Sequence, residues 1–166
     1  MDFYSRDLID TDIDDINELH NLTEVTKYQT WKTQSNEETK QFLREVINQD
    51  SNVVYNVLVN PDTDKVIGTI QLVIDEVNKS AEIEFIIHPN YWNNGIATNI
   101  AKTIIKYAFK VLKLNRVAAS IDSNNTAARM VLQNLEMKLE GVLRENRLVD
   151  GEYRDTLSYA ILRSEY

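Results

Sequence analysis

The sequence predicts an α/β domain in which helices pack against a mixed sheet. Three observations predict it. Runs rich in Val, Ile, Tyr and Phe alternate with stretches of helical periodicity, in the order β, α, α, β, β, β, α, β, α, β, β. The 166 residues suit one domain with one core. With only four Gly and two Pro, and no repeat or low-complexity linker, nothing divides the chain, so residues 1–166 are expected to fold as one unit.

Residues 3–9 read as the first strand. Asp10-Thr11-Asp12 then offers N-cap chemistry for a helix running to about residue 26. Ser35 followed by Glu38 fits a capping box, and Phe42, Leu43, Val46 and Ile47 mark one face of the helix behind it. Residues 53–59 and 66–74 are β-rich, and the turn cluster Asn60-Pro61-Asp62 between them makes them an antiparallel pair. Residues 81–88 form a further strand, ended by Pro89, which holds His88 extended. Ala97, Ile100, Ala101, Ile104, Ile105, Ala108, Val111 and Leu112 describe a long amphipathic helix. Residues 116–121 are the next strand and 124–135 the next helix. Two strands, about 138–146 and 153–162, close the chain through Asp150-Gly151, a strong hairpin signal.

Composition excludes several classes of function. A net charge of −8 argues against non-specific nucleic-acid binding, which needs clustered Lys and Arg. Asp7, Asp10, Asp12, Asp14, Asp15 and Glu18 hold part of that excess, either as solubilising and helix-start acids or as a field that draws a cationic amine. Cysteine is absent, which removes disulfides, thiolate metal sites and a cysteine nucleophile. His20 and His88 are the only histidines, so no metal is expected, and His20 reads as a surface or packing residue. No stretch approaches the roughly 18 apolar residues of a membrane helix. Met1-Asp2-Phe3-Tyr4 lacks the basic and apolar regions of a signal peptide, and the cytoplasm is the expected compartment.

The most informative segment is Tyr91-Trp92-Asn93-Asn94-Gly95-Ile96-Ala97-Thr98, between a strand stopped by proline and a long helix. Such a loop presents successive backbone N–H groups, followed by the unpaired donors of the first helical turn. The helix start also carries roughly half a positive charge, so loop and helix together suit phosphate oxygens without a lysine. Gly95 lets the backbone approach an anion, or is simply a turn residue; Ala97 is small enough not to block it. The Rossmann and Walker glycine patterns are absent.

Taken with Ala81-Glu82-Ile83-Glu84-Phe85 and His88-Pro89, this segment resembles the acetyl-coenzyme A motif of GCN5-related N-acetyltransferases (GNAT), in style the RimJ/RimL-type branch. Asn125-Thr126-Ala127-Ala128-Arg129-Met130-Val131-Leu132 resembles that branch's Asn-x-Ala-Ser helix start. Leu139-Glu140-Gly141 and residues 150–155 match its C-terminal hairpin, and Trp31 to Phe42 is similar to its acceptor side. The resemblance spans nearly the whole chain. It implies the GNAT fold, with a mostly antiparallel sheet of about seven strands and helices on both faces. It also implies an N-acetyltransferase that uses acetyl-CoA as co-substrate. On this resemblance the backbone of Ile86, Ile87 and His88 runs beside the pantetheine arm. Amides of Asn93, Asn94, Gly95, Ile96, Ala97 and Thr98 hold the pyrophosphate, Asn125 bonds the pantetheine or caps its helix, and Arg129 reaches a phosphate. Two departures stand out: Trp92 sits where Gln or Arg is common, and Glu136 replaces a usual glycine, so that turn is expected to differ.

Acetyl transfer to an amine needs a neutral amine. Alkyl amines have a pKa of about 10, so a base or a desolvating pocket is required. Strand alternation puts Glu82 and Glu84 on one face of the 81–88 strand, as a catalytic pair or as a solvated face. The resemblance favours Glu82 as base, with Glu84 second. It also places Tyr at position 132 and Ser at position 128, where this chain has Leu132 and Ala128. Tyr153 or Tyr159 are alternative acids. Tyr28, Trp31 and Tyr55 are acceptor-pocket candidates, or core aromatics. The expected acceptor is a primary amine, either a protein N-terminal α-amine or a small polyamine-like amine. The rival reading is a non-catalytic acyl-CoA sensor. The exposed C-terminal strand pair leaves monomer and homodimer both open.

Overall fold

Seven strands form one sheet in the computed structural model, which describes residues 2–31, 35–48 and 52–166. They are β1 (Tyr4–Asp7), β2 (Val53–Val59), β3 (Val66–Asp75), β4 (Ser80–Ile87), β5 (Arg116–Asp122), β6 (Lys138–Val149) and β7 (Glu152–Leu162). Their spatial order is β1-β2-β3-β4-β5-β7-β6, and every neighbouring pair is antiparallel except β4 and β5. The helices are α1 (Ile13–His20), α2 (Thr23–Thr26), α3 (Asn36–Asn48), α4 (Ile96–Lys110) and α5 (Thr126–Asn134).

The period-2 pattern of the strands decides which helices cover which face. Val57 and Val59 of β2 and Val66 of β3 pack with Ile16 of α1 and Leu43 of α3. Leu58 of β2 points the other way, into the larger core where Ile100, Ala101, Ile104, Ile105, Ala108 and Phe109 of α4 meet Ile70, Leu72, Ile83 and Val117. Each such aliphatic side chain contributes about 1.5–3 kcal/mol on burial, so the amphipathic face of α4 fixes the helix against the sheet. Helices thus cover both faces, as expected.

The single helix expected from Asp10 to about residue 26 is instead a 3₁₀ turn (Asp10–Asp12) followed by α1 and α2. Asn21 ends α1 by folding its side-chain amide back onto the Asn17 carbonyl at 2.8 Å, and Leu22 is then extended. Asp12 does not cap with its side chain. Its buried carboxylate accepts both Arg6 nitrogens at 2.7 Å and the Ile9 N–H at 2.9 Å. That hydrogen-bonded pair raises the Arg6 pKa further. The capping box at α3 is present: Ser35 N–H donates to Glu38 Oε2 at 2.7 Å, and Glu38 N–H to Ser35 Oγ at 3.3 Å. The Ile47 side chain lies outside the described residues. Strand β4 stops at Ile87, one residue short of expectation, because Pro89 opens a 3₁₀ turn (Pro89–Tyr91). Asp150 and Gly151 both have positive φ (50° and 81°), the geometry of a two-residue hairpin turn.

Candidate active site

The parallel contact between β4 and β5 runs only from Ser80–Glu82 against Arg116–Ala118. Beyond it β4 stays paired with β3 as far as Ile87, and β5 stays paired with β7 as far as Asp122. The two strands therefore part, and one edge of β4 loses its neighbour. The His88 N–H donates to the Ile67 carbonyl at 2.8 Å, which sets the alternation: even-numbered residues of β4 bond β3 and odd-numbered ones face β5. The Asn115 N–H to the Lys79 carbonyl at 2.6 Å agrees. Phe85 and Ile87 therefore aim their backbone groups into the gap. Of the three residues expected beside an extended ligand arm, Ile87 has the open edge, Ile86 is turned toward β3 and the His88 amide is already used. Phe85, which sequence reasoning did not single out, faces the gap in the same way. Gly68 lets β3 pack closely against the opposite, paired edge of β4: a Cβ there would stand 2.6 Å from the Ile86 carbonyl oxygen.

The loop after β4 is tied to it by the Trp92 indole N–H, which donates to the Ile87 carbonyl at 2.6 Å. This gives Trp92 a structural role at the position where Gln or Arg is common. The His88 ring nitrogen accepts from Asn90 N–H at 3.2 Å. Asn94 Nδ2 donates to the Tyr91 and Trp92 carbonyls at 3.3 and 3.1 Å. Asn93 (φ 62°) and Gly95 (φ 73°) both take the left-handed conformation, which bends the chain into a concave turn ahead of α4. Gly95 supplies the N-cap position without a side chain, and a Cβ there would meet nothing within 4 Å. The Gly95 carbonyl takes the Asn99 N–H at 3.0 Å, whereas among the described residues the amides from Asn93 to Thr98 donate to no backbone carbonyl. Open space faced by unpartnered N–H groups at a helix start fits a pyrophosphate. Ile96 anchors the turn with a buried side chain.

The gap opens into a cavity of about 480 Å³. Tyr28, Trp31, Phe42 and His20 wall it from the helical side, Tyr55, Gln71 and Glu84 from β2–β4, and Ser120, Asp122, Asn125 and Ala128 from β5 and α5. Of the two carboxylates, Glu84 lines the cavity, whereas Glu82, the one that resemblance favours, is not in its wall. Glu84 accepts from Gln71 Nε2 at 2.6 Å. Tyr28, Trp31 and Tyr55, expected as either pocket or core, all line it. Burial pushes the Tyr55 phenol up to about 12, with the nearby Thr69 side chain countering part of the rise, so it stays a neutral donor; its oxygen is buried without a well-formed hydrogen bond.

Of the two readings of Asn125, the helix cap is observed. Oδ1 caps α5 by accepting from Ala128 N–H at 3.0 Å, while the residue also lines the cavity. Arg129 turns back instead, with Nη2 donating to the Ser123 carbonyl at 2.6 Å, and it is absent from the cavity wall. Leu132 is fully buried in the core, Tyr159 is buried there too, and Tyr153 is 69% exposed on the terminal hairpin. Neither tyrosine lines the cavity, and among the described residues the hydroxyls in its wall are those of Tyr28, Thr30, Tyr55, Thr69 and Ser120. His20, read as a surface or packing residue, is buried against Trp31 and Phe42, with ring centroids 5.0 and 5.9 Å away, and forms part of the wall. Among the described residues no group of three or more His, Asp or Glu converges to hold a metal, and no helix is long and apolar enough to cross a membrane.

The acetyltransferase (GNAT) domain family matches residues 4–138. An uncharacterized N-acetyltransferase of Bacillus licheniformis is 34% identical over 113 residues, which is 68% of this chain and 63% of that protein. Spermidine N(1)-acetyltransferase of Escherichia coli K12 is 33% identical over 100 residues, 60% of this chain and 54% of that protein. Less than two thirds of either relative's length is thus spanned. Among solved structures, spermidine N-acetyltransferase from Vibrio cholerae in complex with CoA and spermine superposes with a TM-score of 0.89. The identity there is 25%, covering 99% of this chain and 97% of that one. A sheet split between β4 and β5, an amide-lined turn before α4 and a family match over most of the chain agree, and the protein belongs to the GNAT family of acetyltransferases.

Proposed function

We propose that this chain is an acetyl-CoA-dependent N-acetyltransferase of the RimJ/RimL type, acting in the cytoplasm on a primary amine by direct attack in a ternary complex. The amine is a protein N-terminal α-amine or a small amine of the polyamine kind. One observation carries the reading: the parted edge of β4 joins the amide-lined turn at one end to a cavity holding Glu84 at the other. The Vibrio cholerae protein of the same fold, with CoA and spermine bound, supports it.

Acetyl-CoA, when bound, supplies an acetyl thioester. Amides from Asn93 to Thr98 would hold its pyrophosphate, and the open edge at Phe85 and Ile87 would pair with its amide-bearing arm as an added strand does. Asn125, its Oδ1 fixed by the cap, presents Nδ2 as a further donor. Glu84 binds the amine and takes the proton it sheds as the N–C bond forms and the C–S bond breaks. A Phe85 or Ile87 N–H would donate to the oxyanion as it forms. The missing hydroxyls at positions 128 and 132 are tolerable. A thiol pKa near 8.5 means that thiolate departs unprotonated at pH 7 for only roughly 2 kcal/mol.

Those missing hydroxyls also support the sensor reading, and one assay separates the two. Purified protein is mixed with acetyl-CoA and a panel of amines and peptides, and free thiol is followed. Release above the buffer rate with at least one amine is expected. Tight acetyl-CoA binding with release at the buffer rate across the panel would favour the sensor.

A further inference from the structure

Arg147 of β6 lines the cavity, half-buried, and its side chain makes no hydrogen bond and no ion pair among the described residues. It is aimed there by a bulge. The β6–β7 register passes from Leu143↔Thr156 to Arg147↔Arg154, so four positions along β6 answer two along β7. Glu145, at φ 51°, donates its N–H to Asp155 Oδ1 at 2.8 Å, and Asn146 Nδ2 donates to Thr156 Oγ1 at 3.2 Å. Bulges of this kind bend a strand and redirect its side chains. Here the result sets two arginines directly opposite each other, an arrangement that like charges disfavour.

The two are compensated unequally. Arg154 stands 3.5 Å from the buried Asp122, 3.5 Å from Glu152, and donates to the Lys27 carbonyl at 3.0 Å. Arg147 has no such neighbour. A guanidinium partly removed from water beside a second one is unfavourable unless an anion completes it, and its planar fork matches a carboxylate. Glu84 lies in the wall of the same cavity.

We propose that the acceptor is an amine that also carries a carboxylate, with Glu84 receiving the ammonium end and Arg147 the carboxylate. This rests on the transferase reading above and narrows it, because a polycation would bring a second ammonium against Arg147. The amine and carboxylate can belong to a free amino acid or to a peptide with an acidic residue near its N-terminus.

The test compares each carboxylate with its own carboxamide: glycine, 4-aminobutanoate, 6-aminohexanoate, L-glutamate and a short peptide with Asp second, with spermidine alongside. At least one carboxylate should exceed its carboxamide in kcat/KM by about tenfold or more, the worth of one charge-assisted pair. In Arg147→Gln that ratio should fall to near unity, and in Arg147→Lys part of it should return. Because the Arg147 side chain bonds none of the described residues, the melting temperature of Arg147→Gln should stay within about 2 °C. Preference confined to amino acids or to the peptide identifies the source. Equal use of every pair, a ratio unchanged in Arg147→Gln, or spermidine as the best acceptor overturns the proposal. Calorimetric titration of the same pairs in the presence of CoA gives a readout without turnover. Carboxylate binding that depends on Arg147, without acetylation of any amine, sinks the transferase reading and with it the acceptor role, while upholding Arg147 as a carboxylate site; transfer without any dependence on Arg147 sinks this proposal alone.

Discussion

Glu82 and Glu84 are chemically identical and share a face of β4, so only their surroundings distinguish them. Glu84 meets Gln71 and lies in the cavity wall; Glu82 sits at the last paired position of β4 with β5, opposite Ala118. The split begins one residue past Glu82, and it opens the cavity beside Glu84. Replacing Glu84 with Gln should lower kcat/KM for the amine by on the order of 10²-fold or more, typical for loss of a general base, with acetyl-CoA affinity unchanged. Glu82→Gln should change the same constant by less than about threefold, within the range of a surface substitution. Steady-state kinetics on the pair decide it, and a larger loss at Glu82 would restore the order that resemblance gave. The sequence showed both carboxylates and their common face. It did not show where β4 parts from β5, since that depends on pairing between segments more than thirty residues apart.

Elements set by recognisable local motifs were legible; those set by a particular side-chain bond or by the facing strand were not. The capping box at α3, the Asp150-Gly151 hairpin and the loop before α4 follow from a few neighbouring residues, and all three are present. The break between α1 and α2 hinges on a side-chain bond within Asn17–Asn21, and the β6 bulge on Asp155 and Thr156 of the facing strand, which periodicity does not record. Gly95 belongs to the legible group, and its φ of 73° makes a prediction. A β-branched residue is strained there, so Gly95→Val should reshape the turn and weaken coenzyme A binding by about tenfold or more, roughly 1.4 kcal/mol, by calorimetry. The turn at Glu136 was expected to differ from the glycine-containing pattern, yet φ there is 59°, the left-handed conformation glycine favours after a helix. Glu136→Gly should therefore stabilise the protein by about 0.5–1 kcal/mol, the relief of left-handed strain less the added chain entropy. Chemical denaturation measures this, and a loss of stability would show that Glu136 is not strained.

At the scale of the molecule, carboxylates tie the terminal strands and turns to the rest of the sheet. Arg116 of β5 reaches across β7 to Glu140 of β6, bonding both its oxygens at 2.7 and 2.5 Å, and this holds the Glu140 carboxyl below its usual range. Backbone N–H groups do the same for Glu38 and Asp75, and a Lys138 ion pair does so for Glu165. A carboxyl whose pKa is lower folded than unfolded stabilises the fold at pH values above its unfolded pKa. That contribution disappears as pH falls through the folded pKa. These groups therefore leave stability flat from neutral pH down to about 5 and make it fall below about 4.5, the ordinary carboxyl range. Glu140→Gln should have a shallower acid limb than the parent, measured by thermal unfolding against pH. All of these pairs are exposed enough for salt to weaken them, so the effect of each is small.

The account rests on one piece of geometry: an edge of β4 left open at Phe85 and Ile87, continuous with unpartnered amides from Asn93 to Thr98. Amide hydrogen exchange with and without coenzyme A measures it directly. Protection gained on binding should concentrate at residues 85, 87 and 93–98, with little change along β1 or the outer edge of β6. Coenzyme A binding that leaves those amides as exchangeable as before, or protects a different face of the sheet, would contradict it.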